Sequence, residues 1–145
     1  MNWWLSILII FTTFWAMEFV AWATHKYVMH GFLWSLHRDH HQVDKHKKFE
    51  KNDSFFLIFA IPGAAFMMLG SYFLSIGIGI TLYGIAYFII HEVFIHQRIK
   101  LLRNTNSRYF KAIRRAHKIH HKNLSKENGS CFGMLIVPLK YLQQA

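Results

Sequence analysis

At 145 residues with a single cysteine, the chain has the length of one domain (1–145). It has no disulfide framework and lacks the several thiolates that an iron–sulfur cluster needs. Its formal charge is +10, yet 53% of its residues are apolar and its mean hydropathy is positive. Charge and apolar surface coexist by segregation, which excludes an ordinary soluble globule: all 17 Lys and Arg lie in 26–51 or 98–140, and none in 1–25 or 52–97.

The first apolar segment, 3–24, carries one charge, Glu18. About 22 residues at ~1.5 Å rise match a hydrocarbon core of ~30 Å. A signal peptide is the competing reading, but Met1-Asn2 gives no basic start and no small-residue cleavage site follows. A retained transmembrane helix is expected. Glu18 within it is costly and is expected to face protein, toward a metal region, or else to be a protonated or hydrated interfacial group.

Residues 25–53 are polar and basic. His25 and His30 come first, and Gly31 is expected to bend or end the helix. A short helix then carries His37, His40 and His41, and Lys45, Lys47, Lys48 and Lys51 form a solvated or headgroup-facing run around a solvated His46. From Ser54 to Ile90 there is neither charge nor histidine. That length suits two crossings, 54–74 and 77–96, with the turn between Gly70 and Gly79 and a kink at Pro62-Gly63. The second crossing ends on His91-Glu92 and His96. Residues 98–128 then predict an interfacial amphipathic helix bearing His117, His120 and His121, and Cys131 to Pro138 is too short to span. Free Cys131 reads as a small apolar residue.

The fold expected is therefore an all-α integral membrane protein with about three transmembrane helices, plus cytoplasmic and interfacial helices carrying a histidine-rich di-metal site. The positive-inside rule puts the histidines on the cytoplasmic side of the membrane and accounts for the charge without nucleic acid.

Ten of the 11 histidines fall in four clusters, His-x4-His then His-x2-His-His, twice over. On a helix, positions i, i+3 and i+4 share a face, so each triple is expected to point its imidazoles toward one ion. The wide pairs, spaced i and i+5, either straddle two ions or sit where the helix loosens. Ten imidazoles exceed a closed structural zinc site and divide between two ions. Imidazole suits iron and zinc alike, and the ligand set alone does not separate them. Carboxylate-bridged di-iron bundles use glutamates instead. Glu18, Asp39 and Glu92 are here expected to support ligands by orienting imidazole N–H groups.

The four-box order resembles the fatty acid hydroxylase/sterol desaturase superfamily. Within it, His25 through His30-Gly31, His91 through His96-Gln97-Arg98, Ala116 through His121 and Phe132-Gly133 to Pro138 are similar to the bacterial β-carotene hydroxylases. Two places depart from that pattern: Glu92 stands where Asp is usual, and Ile99-Lys100 where a proline is usual. The resemblance implies a bacterial cytoplasmic membrane enzyme with two non-haem iron ions (zinc being possible in a purified sample) and O2 as co-substrate. It further implies electrons from ferredoxin or a similar acidic donor, and a carotenoid substrate drawn from the bilayer. The product would be β-carotene hydroxylated at ring carbon 3, through cryptoxanthin to zeaxanthin. Sterol or acyl chains are the alternative substrates, and a membrane metal-binding or transport protein is the alternative class. An apolar end-on tunnel is expected between the helices, with Ala64 and Ala86 as small lining residues.

Overall fold

The computed structural model describes residues 2–44, 46–47 and 49–144; Lys45 and Lys48 of the basic run lie outside the described residues. Among the described residues every regular element is helical. Helix α1 spans Trp3–Ala23, started by the Asn2 side chain accepting from the Trp4 N–H at 3.2 Å. It is apolar around its whole circumference, with Trp4, Phe11 and Phe19 on the outside. It passes without a break into a π-wound segment, Thr24–Phe32, which ends where Gly31 leaves helical geometry at φ −103, ψ −123. Helix α2, Trp34–His41, follows. A 3₁₀ segment, Lys51–Phe56, is opened by a reciprocal capping pair of Glu50 and Asp53.

Helices α3 (Leu57–Met68) and α4 (Ser71–Phe88) form a hairpin turning at Gly70, whose φ of 68 favours glycine. Helix α4 runs on into a second π-wound segment, Ile89–Ile95. After an irregular stretch come α5 (Arg108–His121) and the short α6 (Leu139–Gln143), joined by a loop that crosses beneath α1 and α4. The amphipathic helix predicted over 98–128 is thus confined to 108–121.

Among the described residues, two continuous stretches are long and apolar enough to cross a membrane: Trp3–Phe32 with 30 residues and Ser71–Ile95 with 25. The middle crossing expected over 54–74 is only partly helical in the α sense. Its 12-residue α3 is about 18 Å long, short of a ~30 Å core.

Gly77 and Gly79, expected in the turn, lie inside α4. A Cβ on Gly77 would meet the Gly63 carbonyl and Met67 at 2.6 Å, and one on Gly79 would meet Thr13 Cβ at 2.7 Å. These glycines are the close-approach points at which α3 and α1 pack on α4. Met17 and Ala21 of α1 pack there on Ile80 and Tyr83 of α4, while Phe94, Ile95, Ile113 and Met134 form a second core beneath the π-wound end of α4.

Candidate metal centre

The π winding decides how the wide pairs sit. The His96 N–H donates to the His91 carbonyl at 2.9 Å, and the Leu33 N–H donates to the Val28 carbonyl at 3.0 Å, both i→i+5 bonds. Loosening the coil in this way brings residues five apart back toward one face, where an α-helix would separate them. His25 and His30 therefore turn together into one place, and His91 and His96 into another.

All ten clustered histidines converge, in two groups of five. His25, His30, His37, His41 and His120 offer nitrogens within 4.8 Å of one another, and so do His40, His91, His96, His117 and His121. The triples do not each serve one place, as their shared face suggested. In α2, His37 and His41 join the first group while His40 turns to the second. In α5, His117 and His121 join the second while His120 turns to the first. Positions i and i+4 are ~40° apart around a helix and i+3 falls ~60° to the other side, so a triple lying between two centres divides this way. His46 is exposed and apart from both groups.

The donor set fits cations. In the first group every Nδ1 has an oxygen partner: His25 with the Phe132 carbonyl at 3.0 Å, His30 with Lys126 at 3.1 Å, His41 with Asn123 at 2.8 Å and His120 with Ser130 at 2.7 Å. His37 completes it by donating to Asn52 Oδ1 at 2.6 Å. A neutral imidazole has one N–H, so donation from Nδ1 leaves Nε2 as a bare lone pair. Yet the Nε2 atoms face one another: His25 and His37 at 3.2 Å, His30 and His41 at 3.1 Å, His30 and His120 at 3.2 Å. Opposed lone pairs at that range repel unless a cation sits among them.

Protons are poor candidates for that cation. Burial, foremost, pushes His37 down to about 2, His41 to about 4 and His120 to about 3, so these rings are neutral at pH 7.

In the second group, His40 and His91 Nε2 face each other at 3.1 Å, and His96 and His117 at 3.0 Å. The Nε2 of His121 is buried without a partner. Burial again holds His40, His117 and His121 below their ordinary values.

The acidic residues divide differently from expectation. Glu92 does reach a ring, accepting from His91 Nδ1 at 2.5 Å, and its other oxygen takes Arg98 at 2.9 Å. Asp39 touches no imidazole. It accepts the backbone N–H groups of Lys51 and Asn52 at 2.5 and 3.4 Å, holding the segment that carries two partners sequence reasoning missed. Those are Asn52, on His37, and Glu50, which accepts from His40 Nδ1 at 2.7 Å. Burial pushes the Glu50 carboxyl up to about 7 against the opposing pull of Arg98; a cation held by His40 would draw it back down. Arg98 also grips Asp53 at 2.6 and 2.9 Å, clamping this segment to the end of α4.

Glu18 also stays off the rings. It is buried, and one oxygen accepts the N–H groups of Met134, Leu135 and Ile136 at 2.9, 2.9 and 3.0 Å while the other accepts the Tyr83 hydroxyl at 2.6 Å. Glu18 thus fixes the loop whose Ser130 and Phe132 carbonyls orient His120 and His25.

A cavity of about 860 Å³ opens among α1, α3 and α4, with Ala21, Phe59, Gly84, Phe88 and His91 among its lining residues. Ala21, Ala60 and Gly84 are among its small lining residues. Ala64 and Ala86 are not among the lining: Ala64 lies a turn beyond Ala60 along α3, and Ala86 is displaced ~200° around α4 from Gly84.

The family model for fatty acid hydroxylases matches residues 10–139. The chain is 37% identical over 142 residues to a β-carotene hydroxylase of Pantoea ananas, spanning 95% of this chain and 81% of that one. It is 33% identical over 138 residues to a β-carotene hydroxylase of Paracoccus sp. (strain PC1), spanning 92% and 85%. To a chloroplastic β-carotene 3-hydroxylase of an Oncidium hybrid cultivar it is 36% identical over 128 residues, spanning 83% of this chain and 41% of the plant protein. No solved structure matches.

Proposed function

Because the chain belongs to the fatty acid hydroxylase family, we propose that it is a membrane-embedded, metal-dependent monooxygenase that hydroxylates β-carotene rings at carbon 3, giving cryptoxanthin and zeaxanthin. The observation that carries the reading is the convergence of ten buried or half-buried imidazoles, one of which, His91, also lines an apolar cavity. His25, His30, His37, His41 and His120 would hold one ion and His40, His91, His96, His117 and His121 a second. When bound, two redox-active irons supply what no side chain can, the reduction of O2 and oxidation of an unactivated C–H bond.

The remaining roles belong to the protein. The α1–α3–α4 cavity takes an apolar ring end-on from the bilayer and excludes water. The capped segment that bears Glu50 and Asn52 keeps the rings of His40 and His37 from turning. Trp3–Phe32 crosses the membrane, and the α3–α4 hairpin enters it and returns the chain to the side it left. The Lys and Arg distribution supports a position of the histidines on the cytoplasmic side of the bacterial membrane.

An acidic ferredoxin-type donor would meet the exposed face of α5, where Lys111, Arg115, Lys118 and Lys122 recur at helical spacing opposite the buried His117 and His120.

Expression in a host that accumulates β-carotene, with pigments separated by chromatography, tests the proposal. More polar carotenoids carrying oxygen from labelled O2 are expected. An untouched β-carotene pool beside hydroxylated sterols or acyl chains would overturn the substrate and keep the oxygenase.

A further inference from the structure

The two histidine groups resemble each other in number and differ in what lies behind them. Behind the first, each Nδ1 donates to a neutral oxygen: four backbone carbonyls and the amide of Asn52. Behind the second, two carboxyl groups stand at hydrogen-bond distance, Glu92 on His91 at 2.5 Å and Glu50 on His40 at 2.7 Å. An imidazole that donates to a carboxylate gains electron density and becomes a stronger ligand through its other nitrogen, whereas a carbonyl fixes its orientation with less polarisation. The carboxylates also place negative charge within one ring's width of the ion. One of them is shared with Arg98, which moderates the effect without cancelling it.

We propose that the two metal ions are held unequally: the ion of His40, His91, His96, His117 and His121 binds more tightly than the ion of His25, His30, His37, His41 and His120, because Glu92 and Glu50 back its ligands. This rests on the reading of the ten histidines as a two-ion centre and goes beyond it, since ligand number alone makes the sites equal. Asn52 is the counterpart residue. It occupies at His37 the place that Glu50 occupies at His40, with the same geometry and no charge.

The test uses the full chain, purified in detergent and stripped of metal, titrated with Zn²⁺ against a chromophoric chelator. Two equivalents are expected, with dissociation constants at least about tenfold apart. Glu92→Gln should weaken the tighter equivalent by about 10–100-fold and leave the weaker within about threefold. Asn52→Asp, which puts a carboxylate behind His37, should tighten the weaker equivalent by about tenfold, a gain that damage to the fold does not produce. His120→Ala should remove the weaker equivalent and spare the tighter. Two equal equivalents, or a Glu92→Gln effect confined to the weaker one, would overturn the inequality while leaving the two-ion centre intact. Absence of any bound zinc would instead sink the metal reading itself.

Discussion

At the scale of single residues, the centre is a problem of proton placement. Each imidazole of the first group spends its only N–H on an oxygen, leaving five lone pairs turned inward. Removing one of them should therefore affect metal more than fold. His120→Ala is expected to abolish turnover and lower bound metal toward one ion per chain, read by elemental analysis. His46→Ala, at an exposed position, should change neither. Normal activity and metal content in His120→Ala would contradict the two-ion assignment.

The histidines were legible in the sequence because residue type and spacing carry the signal. Their partners were less so. Glu92 adjoins its ring in the chain, but Glu50 and Asn52 reach theirs only after the polar loop folds back over α2. Four further partners are backbone carbonyls, which bear no mark in a sequence.

At the scale of elements, local winding and one buried carboxyl group set the geometry. The i and i+5 pairs indicated that the coil would loosen or the ligands straddle, and two π-wound segments realise the first option. Hydropathy placed the turn among Gly70, Gly77 and Gly79 without distinguishing a turn glycine from a packing one. The positive φ at Gly70 and the contacts a Cβ would make at the other two separate them.

Glu18 is the lever between α1 and the loop before α6, since it accepts three successive N–H groups there and the Tyr83 hydroxyl. An amide in its place keeps one oxygen for the loop, but its N–H₂ meets the Tyr83 hydroxyl, which must change from donor to acceptor and leave its own proton unpaired. Glu18→Gln should cost about 2–3 kcal/mol of stability, from the loss of charge-assisted hydrogen bonds in a buried site. It should also loosen the Ser130 and Phe132 carbonyls, and with them His120 and His25. A lower melting temperature together with weaker retention of one ion is expected. A full complement of tightly held metal in Glu18→Gln would show that the loop is fixed by other contacts.

At the scale of the molecule, the cavity and the centre meet at His91, so substrate access and metal binding can be separated by substitution. Ala60→Trp adds an indole to the cavity wall from α3, a helix that carries no imidazole. It should lower conversion of β-carotene at least about tenfold, followed by chromatography, with metal content unchanged. Unaltered conversion would place the substrate elsewhere.

The histidine groups also tie the two halves of the chain together. The pair and two of the three histidines in each half build one group, and the third histidine of each triple crosses to the other: His40 goes forward and His120 goes back. Neither ion could then be held fully by one half, and each would act as a clamp between α2 and α5. An ion that binds only the folded chain stabilises it by about 2.7 kcal/mol when its free concentration is a hundredfold above the dissociation constant. Chelation should therefore lower the melting temperature of the whole chain in one cooperative transition, because both ions bridge α2 and α5 and removing them frees the two helices together. Differential scanning calorimetry with and without chelator measures this. Two separate transitions, with only one of them moved by the chelator, would mean that the halves fold independently and that the crossing of His40 and His120 contributes nothing to their union.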